Sequence, residues 1–306
     1  MNENHRERVS KSKDDDILNN LFGKIGDWYK GNLHMHTTRS DGCLSPDDAL
    51  SLYQKAGYDF AALTDHWAQS QNSSFGRMLL LSGCEWDTGD MIHSPVYHII
   101  GVGMEREVKL EHSQPPQKII DAIREAGGMA ILAHPAWSVT DPEAVLSLTG
   151  LCGAEIYNSI SGLPWNGERA DSSLYFDLWA SKGKLIPCMA ADDSHHYNGE
   201  QTRSYLMVRA QECTQQALKK ALESGSFYAS QGPEFQAIRV GDGKVEVECS
   251  DSKYIVFNSN SIWCKDRVAS GTHAVYQVEK TDRYVRVMLV DGQGRKAWSS
   301  PFAVNS

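Results

Sequence analysis

The chain has 306 residues, 41% of them hydrophobic, with 30 Lys and Arg against 39 Asp and Glu and a formal net charge of −9. That balance excludes a strongly basic nucleic-acid surface, and no apolar run approaches the roughly 20 residues needed to cross a bilayer. The length suggests two domains at about 150 residues each. The opening stretch, Met1 to Asp16, is charged and lacks an apolar signal core, so a cytoplasmic protein is expected. Seven cysteines are scattered without a Cys-x-x-Cys pair, which argues against a disulfide framework and against a thiolate zinc knuckle.

Residues 1–21 are polar and read as a mobile tail. From residue 22 to about 232, helix punctuation alternates with short apolar runs, a rhythm that favours parallel β/α units. Ser45-Pro46-Asp47-Asp48 starts a helix whose apolar positions Ala49, Leu52, Tyr53 and Ala56 keep helical spacing until Gly57 stops it. Phe60 to Thr64 follows as a strand. Pro116 opens a helix carrying Ile119, Ile120 and Ile123, closed by Gly127-Gly128, and Met129 to Ala133 is a buried strand. Asp141-Pro142-Glu143 begins a third helix before the strand Ala154 to Tyr157. A fourth helix near Leu174 to Trp179 precedes the apolar run Leu185 to Ala190. With runs ending near His34, Cys84 and Val102, seven strands are expected. After Gly232-Pro233 the period becomes two, with a hairpin signature at Gly241-Asp242-Gly243 and alternation over Tyr284 to Val290. Residues 233–306 therefore read as a small antiparallel all-β, sandwich-like domain.

His34 and His36 end the first strand, and residues two apart on a strand project the same way, so both imidazoles can face one metal. Further candidates recur where other strands stop. Asp41 lies in the turn beyond, Asp65-His66 closes the second strand, Glu85 follows the third, and His98 lies in the fourth. His134 ends the fifth and Asp193-Ser194-His195 follows the seventh. In a β/α barrel the carboxyl ends of the strands form the active-site face. Imidazole and carboxylate donors without thiolate suit zinc, manganese or iron.

The stretch Gly31-Asn32-Leu33-His34-Met35-His36-Thr37-Thr38-Arg39-Ser40-Asp41-Gly42 resembles the first motif of the PHP (polymerase and histidinol phosphatase) hydrolases. Leu63-Thr64-Asp65-His66 is similar to the next, and Glu85, Ala133-His134-Pro135 and Asp193-Ser194-His195 fall in the order of the rest. The resemblance covers about Gly31 to Gly232. It implies a distorted (β/α)7 TIM-like barrel holding two or three divalent transition metal ions. It also implies the ligand set His34, His36, Asp41, His66, Glu85, His98, His134, Asp193 and His195, with Glu85 bridging two metals. His93 competes with His98, but the Ile-Ile-Gly run after His98 is closer to the family pattern.

The expected function is hydrolysis of a small soluble phosphate monoester, a nucleotide or sugar phosphate, by hydroxide held between metals. Asp65, Asp192 and His196 are the candidates for the acid that protonates the leaving alcohol, each with an alternative role in orienting a ligand ring. Arg39, Asn158, Arg169 and Arg203 are candidate substrate contacts, with Trp137 and Trp165 as candidate stacking surfaces. The Trp67 to Arg77 loop, rich in Ser, Gln and Asn, is a candidate lid. Solvated roles are expected for His112 and His273. Two other readings stay open: a metal-dependent hydrolase of a carbamate, ester or amide, and a non-catalytic binding module. The oligomeric state is left open, a homo-oligomer included.

Overall fold

The computed structural model describes residues 19–23, 26–90, 92 and 94–304. Most of the expected tail, and with it His5, lies outside the described residues, as does His93. The fold is mixed α/β. Among the described residues the strands make one sheet of thirteen and one of five, and no helix is long and apolar enough to cross a membrane.

Several elements form where local chemistry dictates. The helix Pro46–Lys55 starts at Ser45, whose hydroxyl accepts from the Asp48 amide at 3.2 Å, with proline in its first turn and Asp47 and Asp48 facing the helix dipole. Gly57 follows it at φ +78°, a conformation glycine adopts without strain. The helix Pro116–Glu125 buries Ile119, Ile120 and Ile123 along one stripe. The strands Met129–Leu132 and Cys188–Ala191 are buried at every position, as expected of strands covered on both faces.

The five-stranded sheet runs in the order Cys188–Ala191, Leu151–Asn158, Met129–Leu132, Ser94–Val102, Gly83–Asp90. Its first three strands are parallel, but Ser94–Val102 is antiparallel to both its neighbours. The purely parallel rhythm expected from the sequence therefore fails here. Gly83–Asp90 and Ser94–Val102 are joined by too short a connection for a helical crossover, and only a hairpin can close it. Consequently His98 sits within a strand and not at a carboxyl end.

Asp27–Asn32 and Phe60–Ala62 pair in parallel within the larger sheet. Isolated bridges, Met35 with Ser194 and His66 with Glu85, stitch the ends of these strands to the five-stranded sheet. The first of these is reinforced by His36 N–H to Ser194 O at 3.0 Å and Asp193 N–H to His34 O at 2.9 Å. His34, His36, His66, Glu85, Asp193 and His195 lie on or beside these stitches.

The candidate lid is pinned. Ser73–Phe75 pairs antiparallel with Met78–Leu81, Ser70 is buried with its hydroxyl on Leu63 O, and the Asn72 side chain spans Met104 O and the Ser82 amide. The polar side chains that suggested mobility are spent on backbone groups.

Two large hydrophobic clusters divide the core, one around Ile99, Ile131, Ile156 and Trp179, the other around Ile238, Val247, Phe257 and Val287. Asn19–Asn20 pairs with Phe235–Gly241, and Phe22 packs in the second cluster. These residues, assigned to the tail and to the barrel by composition, pair or pack with the C-terminal strands of the larger sheet. Traffic also runs the other way, since Trp298 is buried in the first cluster and stacks on Tyr157 at 5.5 Å. The fastening between the two regions is ionic at Arg286. Only 1% exposed, it reaches Asp177 of the helix Ser173–Ser181 through Nη2 to Oδ2 at 2.7 Å and Nε to Oδ1 at 3.2 Å.

Removing one partner of a buried ion pair strands the other charge. Asp177→Ala should lower the free energy of unfolding by about 3 kcal/mol in chemical denaturation, and Asp177→Asn by less. A loss below about 0.5 kcal/mol would show that Arg286 draws its compensation elsewhere.

Candidate metal centre

The site is built around His34, which is fully buried. Its Nδ1 lies 2.8 Å from Glu155 Oε1. Glu155 also accepts from the His134 amide at 2.9 Å and the Asn158 side-chain amide at 2.8 Å. A carboxylate in that position accepts a hydrogen bond from Nδ1–H, which leaves Nε2 facing the cavity.

That nitrogen faces a second imidazole and two carboxylates. His36 Nε2 is 3.2 Å away, Glu85 Oε2 3.1 Å and Asp193 Oδ1 3.1 Å. His36 Nε2 in turn lies 3.0 Å from Glu85 Oε2 and 3.1 Å from Asp193 Oδ1. Five of the six edges of a tetrahedron of donor atoms are thus nearly equal. All four atoms lie close enough together to serve one ion. Asp193 Oδ1 is buried without a hydrogen-bond partner, as is His66 Nδ1. A cation among these atoms satisfies them all at once, so the residues fit a divalent metal ion.

Two further groups of donors adjoin the first. His66, Glu85 and His98 form one, with His66 Nδ1 3.4 Å from Glu85 Oε2 and His98 Nδ1 2.9 Å from Glu85 Oε1. His36, Asp41, His66 and His195 form the other. In it Asp41 Oδ1 is 3.6 Å from His36 Nδ1 and 3.5 Å from His195 Nε2, and Asp41 Oδ2 is 3.8 Å from His66 Nε2. His134 stands beside them, with Nε2 3.5 Å from Glu85 Oε1 and 3.7 Å from Asp193 Oδ2. Glu85 thus presents Oε2 to His34, His36 and His66, and Oε1 to His98 and His134.

The rings are aimed by the same device as His34. His134 Nδ1 meets Ser138 Oγ at 3.0 Å, and His195 Nδ1 meets the Asp193 carbonyl at 2.8 Å, leaving each Nε2 turned inward. Asp193 adopts φ +53° and His134 φ +23°, left-handed conformations unusual outside glycine and typical of sites where geometry is imposed.

The electrostatics show a cavity that demands positive charge. Burial works against a charge on His34, yet Asp193, Glu85 and Glu155 outweigh it and raise the ring's pKa well above the ordinary value. Burial likewise opposes ionisation of Glu85, and His34 and His98 overcome it, holding the carboxyl well below the usual range. For His195 burial is again overcome, chiefly by Asp193 and Asp41, and the pKa rises to about 9.

All nine sequence-derived ligand candidates are therefore brought together. The other candidates are dispersed. Asp65 is buried with its carboxylate accepting from Thr37 N–H, Thr37 Oγ and Ser40 Oγ. Asp192 accepts from Tyr53, Ser159 and the amides of Thr202, Arg203 and Ser204. Burial is the main influence on Asp192 and raises its pKa to about 6 against those bonds. Both carboxylates hold backbone in place. His196 is exposed at the rim and lines the metal cleft.

Asn158 is buried and spends its amide on Glu155 and Asp193, which makes it a support for the donors. Arg39 lines a separate cavity with Asp47 and Gln69, Arg203 lies over the Trp165 ring at 4.7 Å, and Arg169 lines the cavity next door. Trp137 crosses the His134 ring at 4.9 Å and 79°. His112 stacks on Trp67, and His273 pairs with Glu246 at 3.0 Å in the C-terminal sheet. Glu155 was missed by sequence reasoning. Its signal was an acid embedded between Ala154 and Ile156 in an apolar strand, where an unpaired charge is too costly to persist.

A mixed α/β scaffold whose strand ends gather imidazoles and carboxylates around a common cavity defines a PHP-like fold. No protein-family model matches the chain. It is similar to a two-domain protein of Bacteroides vulgatus described as containing a predicted PHP-like metal-dependent phosphoesterase. That likeness covers 91% of this chain and 95% of the other, with a TM-score of 0.53 and 14% identity. A weaker one, at TM-score 0.44 and 13% identity, covers 78% of this chain and 64% of a lesion-specific endonuclease of Pyrococcus furiosus. In sequence, 143 residues are 27% identical to an uncharacterized protein of Methanocaldococcus jannaschii, covering 42% of this chain and 82% of that one.

If Glu155 sets the His34 tautomer, Glu155→Gln should weaken metal binding by about 10- to 100-fold with the fold retained. Titration with zinc and manganese, alongside circular dichroism, measures it. Unchanged affinity would remove Glu155 from the site's design.

Proposed function

We propose that the protein is a metal-dependent hydrolase of the PHP type, acting on a small phosphate monoester such as a nucleotide or sugar phosphate. The observation that carries this is the convergence of His34 Nε2, His36 Nε2, Glu85 Oε2 and Asp193 Oδ1 at 3.0 to 3.2 Å, with Asp193 Oδ1 buried and lacking a hydrogen-bond partner. Divalent ions at such a site, zinc, manganese or iron by the chemistry of the donors, supply Lewis acidity to the phosphoryl oxygen and to the attacking water. The chain's own part is placement. Glu85, with its two oxygens turned to different histidines, is suited to join neighbouring ions, and Asp193 closes the first group from the opposite side. Asn158, Ser138 and Glu155 keep the donors from rotating. Of the three candidate acids, His196 has access to the cleft, and we assign it the proton given to the leaving oxygen. The ring of strands drawn together by the Met35–Ser194 and His66–Glu85 bridges supports a distorted seven-stranded barrel. For a division into residues 22–232 and 233–306 there is partial support in the second cluster, drawn mainly from residues after 232, although Phe22 and Tyr228 join it and Trp298 joins the first.

One observation favours a second reading. Among the described residues lining the metal cleft none is Lys or Arg, whereas a phosphate group ordinarily meets a cation besides the metals. A carbamate, ester or amide carries less charge and has no such need.

Glu85→Ala should lose bound metal and activity together. Elemental analysis of protein purified without chelator or histidine-affinity resin should find two or three transition metals per chain in the parent and fewer in the variant. Full activity with the variant would sink the metal-cluster mechanism. A panel of phosphate monoesters beside carboxylic esters, amides and carbamates should show turnover of the phosphates. Turnover confined to the carbonyl compounds would establish the second reading instead.

A further inference from the structure

The metal cleft has a volume of about 260 Å³. Directly beside it lies a cavity of about 750 Å³, which shares His98 and Trp137 with the metal cleft. That volume is in the range of pockets that enclose whole organic ligands.

We propose that this second cavity is a substrate subsite that takes a flat, apolar body carrying an anionic group. As a substrate subsite it rests on the hydrolase reading; as a ligand site it does not. Trp137, Pro95, Val96 and Val139 give it apolar walls. Arg169 is the one Lys or Arg among its described lining residues and makes no ion pair among the described residues. Asp87, fixed by the Trp67 indole N–H at 2.6 Å, and Asp90 also line it. An anionic group is attracted to Arg169. Trp137 stands near-perpendicular to His98, at 5.8 Å and 88°, and to His134, so the ring that contacts the body also abuts the donor imidazoles.

Val139 supplies an independent sign of function. It is 62% exposed and held at φ +50°, a conformation in which a β-branched residue is a genuine outlier. Exposure of an apolar side chain is relieved if a ligand covers it, and backbone strain of this kind clusters at ligand-binding sites.

The test uses 2-naphthoate and 2-naphthol, a flat body with and without the anion, titrated calorimetrically into the full chain. Naphthoate should bind at least tenfold more tightly than naphthol. Arg169→Gln, at an exposed position where folding is not at stake, should erase that difference. Val139→Trp should abolish binding of both probes with metal content unchanged, and chelator treatment should leave naphthoate binding in place. Equal binding of the two probes to the parent, or an undiminished preference in Arg169→Gln, would overturn the subsite. Hydrolysis of 6-phosphooxy-2-naphthoate against 2-naphthyl phosphate separates this from the proposed function. Arg169→Gln should raise KM at least tenfold for the first compound only. Hydrolysis of neither compound, with naphthoate binding intact, would count against the hydrolase reading and leave the ligand site standing.

Discussion

The pairing of His34 Nδ1 with Glu155 is the constraint on which the site depends. It fixes the orientation of a fully buried ring, and so turns Nε2 toward two carboxylates and a second imidazole. Without positive charge between them, those groups repel or go unsatisfied in a medium where desolvation is expensive. The arrangement persists in the fold because Glu155 is itself held by the His134 amide and Asn158, on a strand buried on both sides. One carboxylate therefore aligns two donor residues, His34 through its ring and His134 through its backbone.

Around that pair the protein divides its acids into two populations. Glu85 and Asp193 face imidazoles and are held ionised by them. Asp65 and Asp192 face hydroxyls and amides, and their work is to tie the segments after the first and seventh site strands to the scaffold. The two kinds sit one residue apart at Asp192 and Asp193, where alternation along an extended segment sends one carboxylate inward and the other into the loop. The left-handed backbone at Asp193 finishes that separation. An exchange of roles between the neighbours would leave a buried acid unpaired and a donor corner missing.

The C-terminal sheet is bound to this arrangement through polar fastenings as well as packing. Arg286 grips the helix Ser173–Ser181, and Lys296 reaches Asp171 at 2.7 Å, at the end of the segment that contains Arg169 and the cleft residues Ser161 and Asn166. The wall between the metal cleft and the neighbouring cavity is thereby braced from outside the strands that carry the donors. A charged pair suits that purpose because its geometry is specific where apolar contact alone is forgiving.

What the sequence by itself determined was the inventory of donors and much of the local structure. Capping at Ser45, the glycine stop at Gly57, the apolar stripe of Pro116–Glu125 and the hairpin at Gly241–Lys244 follow from short-range chemistry. So does the two-residue spacing of His34 and His36. The donors were legible because imidazole and carboxylate side chains recur in an ordered set that an ordinary surface has no reason to assemble. Strand direction was not, since a short apolar run reads the same whether its partner is parallel or antiparallel, and Ser94–Val102 turned out to be a hairpin arm. Nor were the roles of Asp65, Asp192, Arg39, Arg169 and Glu155, because a side chain's function depends on which distant backbone comes within hydrogen-bond reach. Sequence supplies the charges and their spacing along the chain; only the closed tertiary packing decides which of them meet across 3 Å.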